Sequence, residues 1–380
     1  MKKSITLLDV LEHLITEEEI QEILQTHKYK DTARKLSVSM LLRFLMMAAM
    51  HEWKGFRHMA DVATAYGLPQ VHYSALSTKT SDVPYAIFKD IFIKILSRCN
   101  RRIRRSTRFP KELLLIDSTT VTVGESRLPW APYHGKRSGI KLHVTLLEAS
   151  QMPCNLRETT GLCHDSPVMN EFVDPQFILV ADRAYFQIKR IDTFVKPETN
   201  QPFVIRLKMN VALYRKKSLR RWSPADSNIL GDFTCKLGTP QARSESRHRI
   251  VEFTDREGKV MRVVTNLYDV DAETIASMYQ ARWAIEVFFR WIKQHLNIPT
   301  LFGTTEIAVF NQLYAALLAY VVLKTLYEEG KQHPFIRSAS FVSFTRQFIE
   351  AQLPVEWELI IQAFIKDYQQ LYGSILPGTG

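Results

Sequence analysis

The sequence predicts a multidomain α/β protein: a mixed sheet flanked by helices, with an all-helical region before it, a β insertion and helix after it. Three observations carry this expectation. Apolar residues before position 105 recur every three to four places, the spacing of amphipathic helices. From Lys111 onward, short apolar runs rich in branched residues alternate with helical segments. After Pro299 the helical spacing returns and continues to about Tyr372.

The first helical region contains ITEEEIQEILQTH and SVSMLLRFLMMAAMHEW, with Thr16 and Ser37 as N-cap residues. A short helix over Arg57 to Tyr66, a Gly-Leu-Pro turn and a Ser/Thr-rich segment opening another helix follow. This arrangement resembles a helix-turn-helix and suits either DNA reading or packing. Then ELLLIDSTTVTV reads as a buried strand, and GIKLHVTLLEAS and MPCNLRETTG as two more. A helix begins near Asp165, where Ser166-Pro167 suits a helix start. FILVADRAYF, QIKRIDTFVK and PFVIRLKMN supply a strand, a helix and a strand, an order that builds a mixed sheet with helices packed on it.

Residues 210–270 differ in texture. FTCKLG and HRIVEFTDREGKVMRVVTNL read as antiparallel strands joined by an Arg-Glu-Gly turn, a β insertion. The PGTG end reads as a frayed tail. The expected domains are 1–105, helical; 106–300, the sheet with its insertion at about 210–270; and 301–380, helical.

Lys and Arg outnumber Asp and Glu by 50 to 39, giving a net charge of +11. That balance favours polyanionic partners, nucleic acid before anionic membrane. Its placement sharpens the point: Arg101 to Arg108 holds five arginines, and Tyr214 to Trp222 holds five basic residues between two aromatics. The four cysteines form no CxxC pair, and Cys163-His164 lacks a second cluster at zinc spacing, so reduced thiols of a cytosolic protein are expected. The N-terminus turns acidic too early for a signal peptide. The apolar run Leu313 to Leu323 is short and flanked by charge, which reads as a buried core helix with no membrane partner. A cytoplasmic location follows as the expectation.

The stretch YQARWAIEVFFRWIKQHL carries the most chemistry. On one helix, Tyr279, Arg282, Glu286 and Lys293 fall within roughly 60° of each other, beside an apolar sector of Ile285, Phe288, Phe289, Ile292 and Leu296. Asp117 and Asp182 stand at the polar ends of two apolar strands. Either aspartate alone is more often a cap or turn former. Two on adjacent strands, joined by Glu286, make a pocket of three carboxylates that repel each other unless a divalent cation is present. Oxygen-only ligation suits Mg²⁺ or Mn²⁺, and two such ions roughly 3.5–4 Å apart drive phosphodiester chemistry. Arg282 and Lys293 supply cations for the phosphates.

LIDST, VADRAYF and the YxxRxxxExxxxxxK pattern together resemble the insertion-sequence type-four transposases, members of the RNase H-like DDE recombinase superfamily. The resemblance covers most of the chain, including the helical N-terminal domain and the β insertion. It implies an RNase H-like core and a metal-binding triad of Asp117, Asp182 and Glu286 with two Mg²⁺ or Mn²⁺ ions. Tyr279, Arg282 and Lys293 match signature positions that contact DNA phosphates. Lys141 and His143 match a Lys/His pair and are assigned a DNA contact, against the ordinary alternative of a satisfied core histidine. Trp222 is the insertion aromatic that would stack on a flipped base, and Trp283 either stacks on a base or packs against the sheet. The implied activity is cut-and-paste transposition: binding of terminal inverted repeats, pairing of ends by a homodimer in a synaptic complex, metal-dependent cleavage, a hairpin step and transfer to target DNA. Two alternatives stay open, a silent transposase-derived DNA-binding regulator and an RNase H-like nuclease that only hydrolyses.

Overall fold

The computed structural model describes residues 6–103, 107–219, 227–333 and 339–373. Trp222, Arg104, Arg105, Arg220, Arg221 and the PGTG end lie outside the described residues. The chain divides into two compact units. One comprises Met1–Arg104, Val121–Gly139 and Arg290–Gly380; the other comprises Arg105–Thr120 and Ile140–Phe289.

The first unit opens with α1 (Leu7–Leu14), α2 (Glu17–Thr26) and α3 (Val38–Met50). Thr16 closes a capping box on α2: its hydroxyl accepts from the Glu19 N–H at 3.3 Å, and Glu19 accepts from the Thr16 N–H at 3.1 Å. Ser37 caps α3 by accepting from the Met40 N–H at 3.1 Å. Helix α4 (Phe56–Val62) runs into a 3-10 turn ended by Gly67 at φ 76°, a left-handed position that suits glycine. Helices α5 (Tyr73–Asp82) and α6 (Tyr85–Arg102) follow.

The second unit carries most of the sheet; the end of β1 from Val121 and the start of β2 up to Gly139 are counted in the first. Strands β1 (Leu113–Gly124), β2 (Arg137–Leu147) and β3 (Pro153–Thr160) precede α7 (Asp165–Val168), and then come β4 (Ile178–Ala181), α8 (Ile188–Phe194) and β5 (Phe203–Arg206). The order three strands, helix, strand, helix, strand is the one read from the sequence, although α7 is a single turn continued by a 3-10 segment. β4 pairs in parallel with both β1 and β5, while β3 is antiparallel to β2. The parallel strands are apolar at successive positions because both faces are buried. One face contributes Leu114, Ile116, Leu179, Ala181, Phe203 and Ile205 to a single core cluster. Burying each large aliphatic side chain contributes about 1.5–3 kcal/mol.

Residues 210–270 extend the same sheet. Strands β6 (Leu213–Ser218), β7 (Ile229–Leu237), β8 (His248–Thr254) and β9 (Val260–Thr265) form antiparallel pairs, and β9 joins β5. The order across all nine strands is β3-β2-β1-β4-β5-β9-β8-β7-β6. The Arg-Glu-Gly turn stands where the sequence placed it, with Gly258 at φ 77° and Asp255 accepting from the Lys259 N–H at 2.9 Å.

Helix α9 (Ala272–Ala281) begins at the Asp271 cap, and α10 (Trp283–His295) follows. Here the structure corrects the expectation of one unbroken helix. The N–H groups of Arg282 and Ile285 bond three residues back, to Tyr279 and Arg282, each at 3.1 Å. That tighter turn separates the two helices at Arg282. Tyr279 and Glu286 therefore sit on different helices.

The first unit ends with α11 (Glu306–Gly330), α12 (Phe341–Ile349) and α13 (Val355–Gly373). α11 runs well past the short apolar segment read from the sequence and is, among the described residues, long and apolar enough to cross a membrane by length and composition. Its most apolar window is 89% buried, as in a core helix. The Asn311 amide, itself buried, donates to the Thr80 and Val83 carbonyls at 3.0 and 2.7 Å, closing the turn between α5 and α6.

Candidate active site

The parallel register sets the site. Ile116 lies opposite Ala181, and Ala181 opposite Ile205. The next residues of β1, β4 and β5 are Asp117, Asp182 and Arg206, so three apolar runs release charged side chains at one edge of the sheet. Ligand sites in α/β sheets gather at such carboxyl ends.

Asp117 is tied down on both oxygens. Its Oδ1 accepts from the Ser118 N–H at 2.8 Å, and its Oδ2 accepts from Arg282 Nη1 at 3.2 Å. Burial pushes its carboxyl up to about 6; the Ser118 N–H and Arg282 oppose this, and the charges of Asp182 and Glu286 add to it. Both other acids therefore act on Asp117 through space. Asp182 Oδ1 accepts from the Tyr279 hydroxyl at 3.1 Å, and Arg206 Nη1 stands 3.5 Å away. Burial and the Asp182 charge push the Tyr279 phenol up to about 12, so it serves as a donor.

Arg282 also ion-pairs with Glu286 through Nη2. Burial works against its charge, but Tyr279, Glu286 and Asp117 more than offset this and hold the guanidinium above its ordinary range. The three acids share one electrostatic environment, with Arg282 between Asp117 and Glu286. Among the described residues no group of three His, Cys, Asp or Glu stands at metal-ligand spacing. The donor chemistry nevertheless fits a hard divalent cation: the candidate ligands are all carboxylate oxygens, partly buried, and Arg282 already bridges two of them as a cation.

The other sequence-derived residues are placed as follows. Lys293 is on α10, seven residues or about two turns beyond Glu286, half-buried, with burial lowering its ammonium pKa. Trp283 begins α10 and is 54% exposed, so it is not packed into the core. His143 is fully buried, its Nε2 3.0 Å from Thr159 Oγ1, and burial lowers it to about 4. The structure thus places His143 inside the sheet, away from solvent, where it fits the alternative of a satisfied core histidine. Lys141 points inward as well, donating to the Cys163 carbonyl at 2.7 Å and to Asp165 at 3.2 Å.

Sequence reasoning missed Arg206, Ser118 and Asp165. Arg206 carried a usable signal, because PFVIR ends an apolar run in a charge just as LLLID and ILVAD do. Ser118 and Asp165 carried none, since their pairing spans 47 positions.

Comparison with known proteins defines the class. The sequence matches the family described as "Transposase DDE domain" over residues 108–322. It is 53% identical, over the full length of both chains, to a probable transposase for insertion sequence element IS5377 of Geobacillus stearothermophilus. It is 28% identical over 269 residues to a putative transposase for insertion sequence element IS4SA of Synechocystis, covering 67% of this chain and 72% of that protein. A solved piggyBac transposase synaptic complex with hairpin DNA aligns with 97% of this chain and 86% of that one, at 12% identity and a TM-score of 0.49. The chain belongs to the DDE transposase family. It is an enzyme of DNA transposition that cuts DNA and transfers strands, and the family acts with divalent metal.

Proposed function

We propose that this transposase is of the insertion-sequence type-four kind and moves its own element by cut and paste, in the bacterial cytoplasm, as a homodimer pairing two terminal inverted repeats. An RNase H-like core is part of this reading. It is supported by the strand order β3-β2-β1-β4-β5, with β3 antiparallel and β4 parallel to its neighbours.

Asp117, Asp182 and Glu286 would hold the metal. One observation carries this assignment: Arg282 reaches Asp117 and Glu286 at once while Tyr279, one turn before it, donates to Asp182, so acids 65 and 169 positions from Asp117 gather at one helix break. When bound, Mg²⁺ or Mn²⁺, as a pair of ions, activates a water or 3′ hydroxyl and steadies the leaving oxygen of a phosphodiester. The chain's own residues do the rest. Tyr279 and Arg206 orient Asp182, the Ser118 N–H orients Asp117, and Arg282 and Lys293 offer positive charge to DNA phosphates. Trp222 would stack on a displaced base from outside the described residues. Every chemical step exchanges one phosphodiester oxygen for another, so a single site serves cleavage and joining alike.

The test is incubation with a duplex bearing the element's ends, with Mg²⁺ and then with chelator. Nicking plus joining marks the proposed transposition; nicking alone marks a nuclease, and a mobility shift without cleavage marks a regulator. Asp117→Ala, Asp182→Ala and Glu286→Ala each abolish cleavage and leave end binding intact. Cleavage surviving in any one of them removes that residue from the triad.

A further inference from the structure

Two donors outside the acidic trio converge on one oxygen, and a buried imidazole stands beside it. Asp165 Oδ1 accepts from the Ser118 hydroxyl at 2.7 Å and from the Lys141 ammonium at 3.2 Å, and it stands 3.5 Å from His143 Nδ1. These are not surface contacts: His143 is fully enclosed, Lys141 is 12% exposed and Asp165 is 24% exposed. Each partner is fixed from behind. Lys141 also holds the Cys163 carbonyl, which locks the approach to α7, and His143 spans β2 to β3 through Thr159.

We propose that Asp165 is a positioning residue of the transposition reaction, acting through Ser118 to hold Asp117 in its working orientation. The proposal rests on the assignment of Asp117 as a metal-holding residue. Ser118 has two hydrogen bonds with separate ends. Its hydroxyl is spent on Asp165, and its main-chain N–H is spent on Asp117 Oδ1 at 2.8 Å. Fixing Oδ1 decides which oxygen of Asp117 turns toward Arg282, since Oδ2 is the one in that contact. The chain Lys141, Asp165, Ser118, Asp117 thus ties β2 to the carboxylate at the end of the β1 apolar run. Lys141 donates to the same Asp165 oxygen, which fixes that oxygen as the acceptor toward which the Ser118 hydroxyl points. This gives Lys141 a task that requires burial, in place of DNA contact.

The test compares Ser118→Ala, Asp165→Ala and Ser118→Thr in the full-length protein, with Asp117→Asn alongside. Mn²⁺ binding is measured by titration, with cleavage of an end-bearing duplex, end binding and thermal melting followed in parallel. Groups that orient a metal ligand typically change affinity or activity by roughly 10–100-fold when removed. Ser118→Ala and Asp165→Ala are expected to weaken Mn²⁺ binding and raise the Mn²⁺ needed for cleavage within that range, with end binding unchanged. Ser118→Thr keeps the hydroxyl and restores the Mn²⁺ requirement. The double alanine variant is no worse than the poorer single one, because both act along one path. Should Asp165→Ala fail to fold, Ser118→Ala alone decides. Wild-type Mn²⁺ binding in Ser118→Ala, with Asp117→Asn inactive, overturns the proposal and spares the triad. Cleavage by Asp117→Asn overturns the triad assignment instead.

Discussion

Arg282 and Asp117 are held together at 3.2 Å, and the same guanidinium reaches Glu286, so one side chain at the break between α9 and α10 balances two of the three acids. Removing it leaves Asp117 beside Asp182 and Glu286 with less opposing charge. Arg282→Ala is expected to raise the Asp117 pKa above its present value of about 6, moving the acid limb of the cleavage profile to higher pH. Losing one phosphate contact also flattens the dependence of end binding on salt, with the log–log slope falling by about 1. Arg282→Lys keeps the charge and recovers part of both effects. A pH profile and salt slope both identical to wild type would remove Arg282 from the site.

Asp117 itself is expected to cost stability at neutral pH. Its folded value of about 6 lies above the ordinary 3.8. The stability linked to its proton is therefore complete below 3.8, declines as pH rises and is lost above 6. Asp117→Asn removes the buried charge, so unfolding at pH 7.5 should show a more stable protein, by up to about 3 kcal/mol. The gain shrinks toward pH 4. Chemical denaturation at both pH values checks the sign; a gain of the same size at both would assign it to something other than ionisation.

How far the sequence reaches is set by whether a signal is local. The Thr16 and Ser37 caps, the strand and helix order from Leu113 to Arg206, and the buried sector Ile285, Phe288, Phe289, Ile292 and Leu296 all depend on neighbours within a few residues, and all are present. The break at Arg282 left no trace, because a turn tightened by one residue keeps the apolar period nearly intact. The inward turn of Lys141 and His143 was hidden for another reason. Alternation places them on one face of β2, yet only the fold shows that Asp165 covers that face.

Arg249 anchors the outer part of the sheet. Fully buried, it donates to both oxygens of Asp232 at 2.8 and 2.7 Å and to the carbonyls of Leu267 and Val270, each at 2.6 Å. It fastens the β7–β8 pair to the segment leading into α9. Breaking a buried pair from one side leaves an uncompensated charge, at a cost of about 3–5 kcal/mol. Arg249→Met is expected to lose that much in urea unfolding. Adding Asp232→Leu returns part of it, since the two carbonyls remain unpaired. A single variant as stable as wild type would show that the ion pair contributes nothing net.

Gly330 ends α11, and two effects of replacing it oppose each other. Alanine stabilises a helix interior relative to glycine by roughly 0.5–1 kcal/mol, and less at a last residue. Packing runs the other way: a Cβ at Gly330 would lie 2.2 Å from Trp357, a buried ring near Phe344 with centroids 4.3 Å apart. Trp357 is buried and packs on Tyr327 and Phe344, so it gives way only by pushing on those rings, and overfilling such a contact costs about 1–3 kcal/mol. Gly330→Ala should therefore lower the melting temperature despite the better helix former. Combining it with Trp357→Phe frees space, so the second change should cost less in the Gly330→Ala background than in wild type, a coupling a double-mutant cycle measures directly. Strict additivity in that cycle would mean that α11 and α13 do not meet at this glycine.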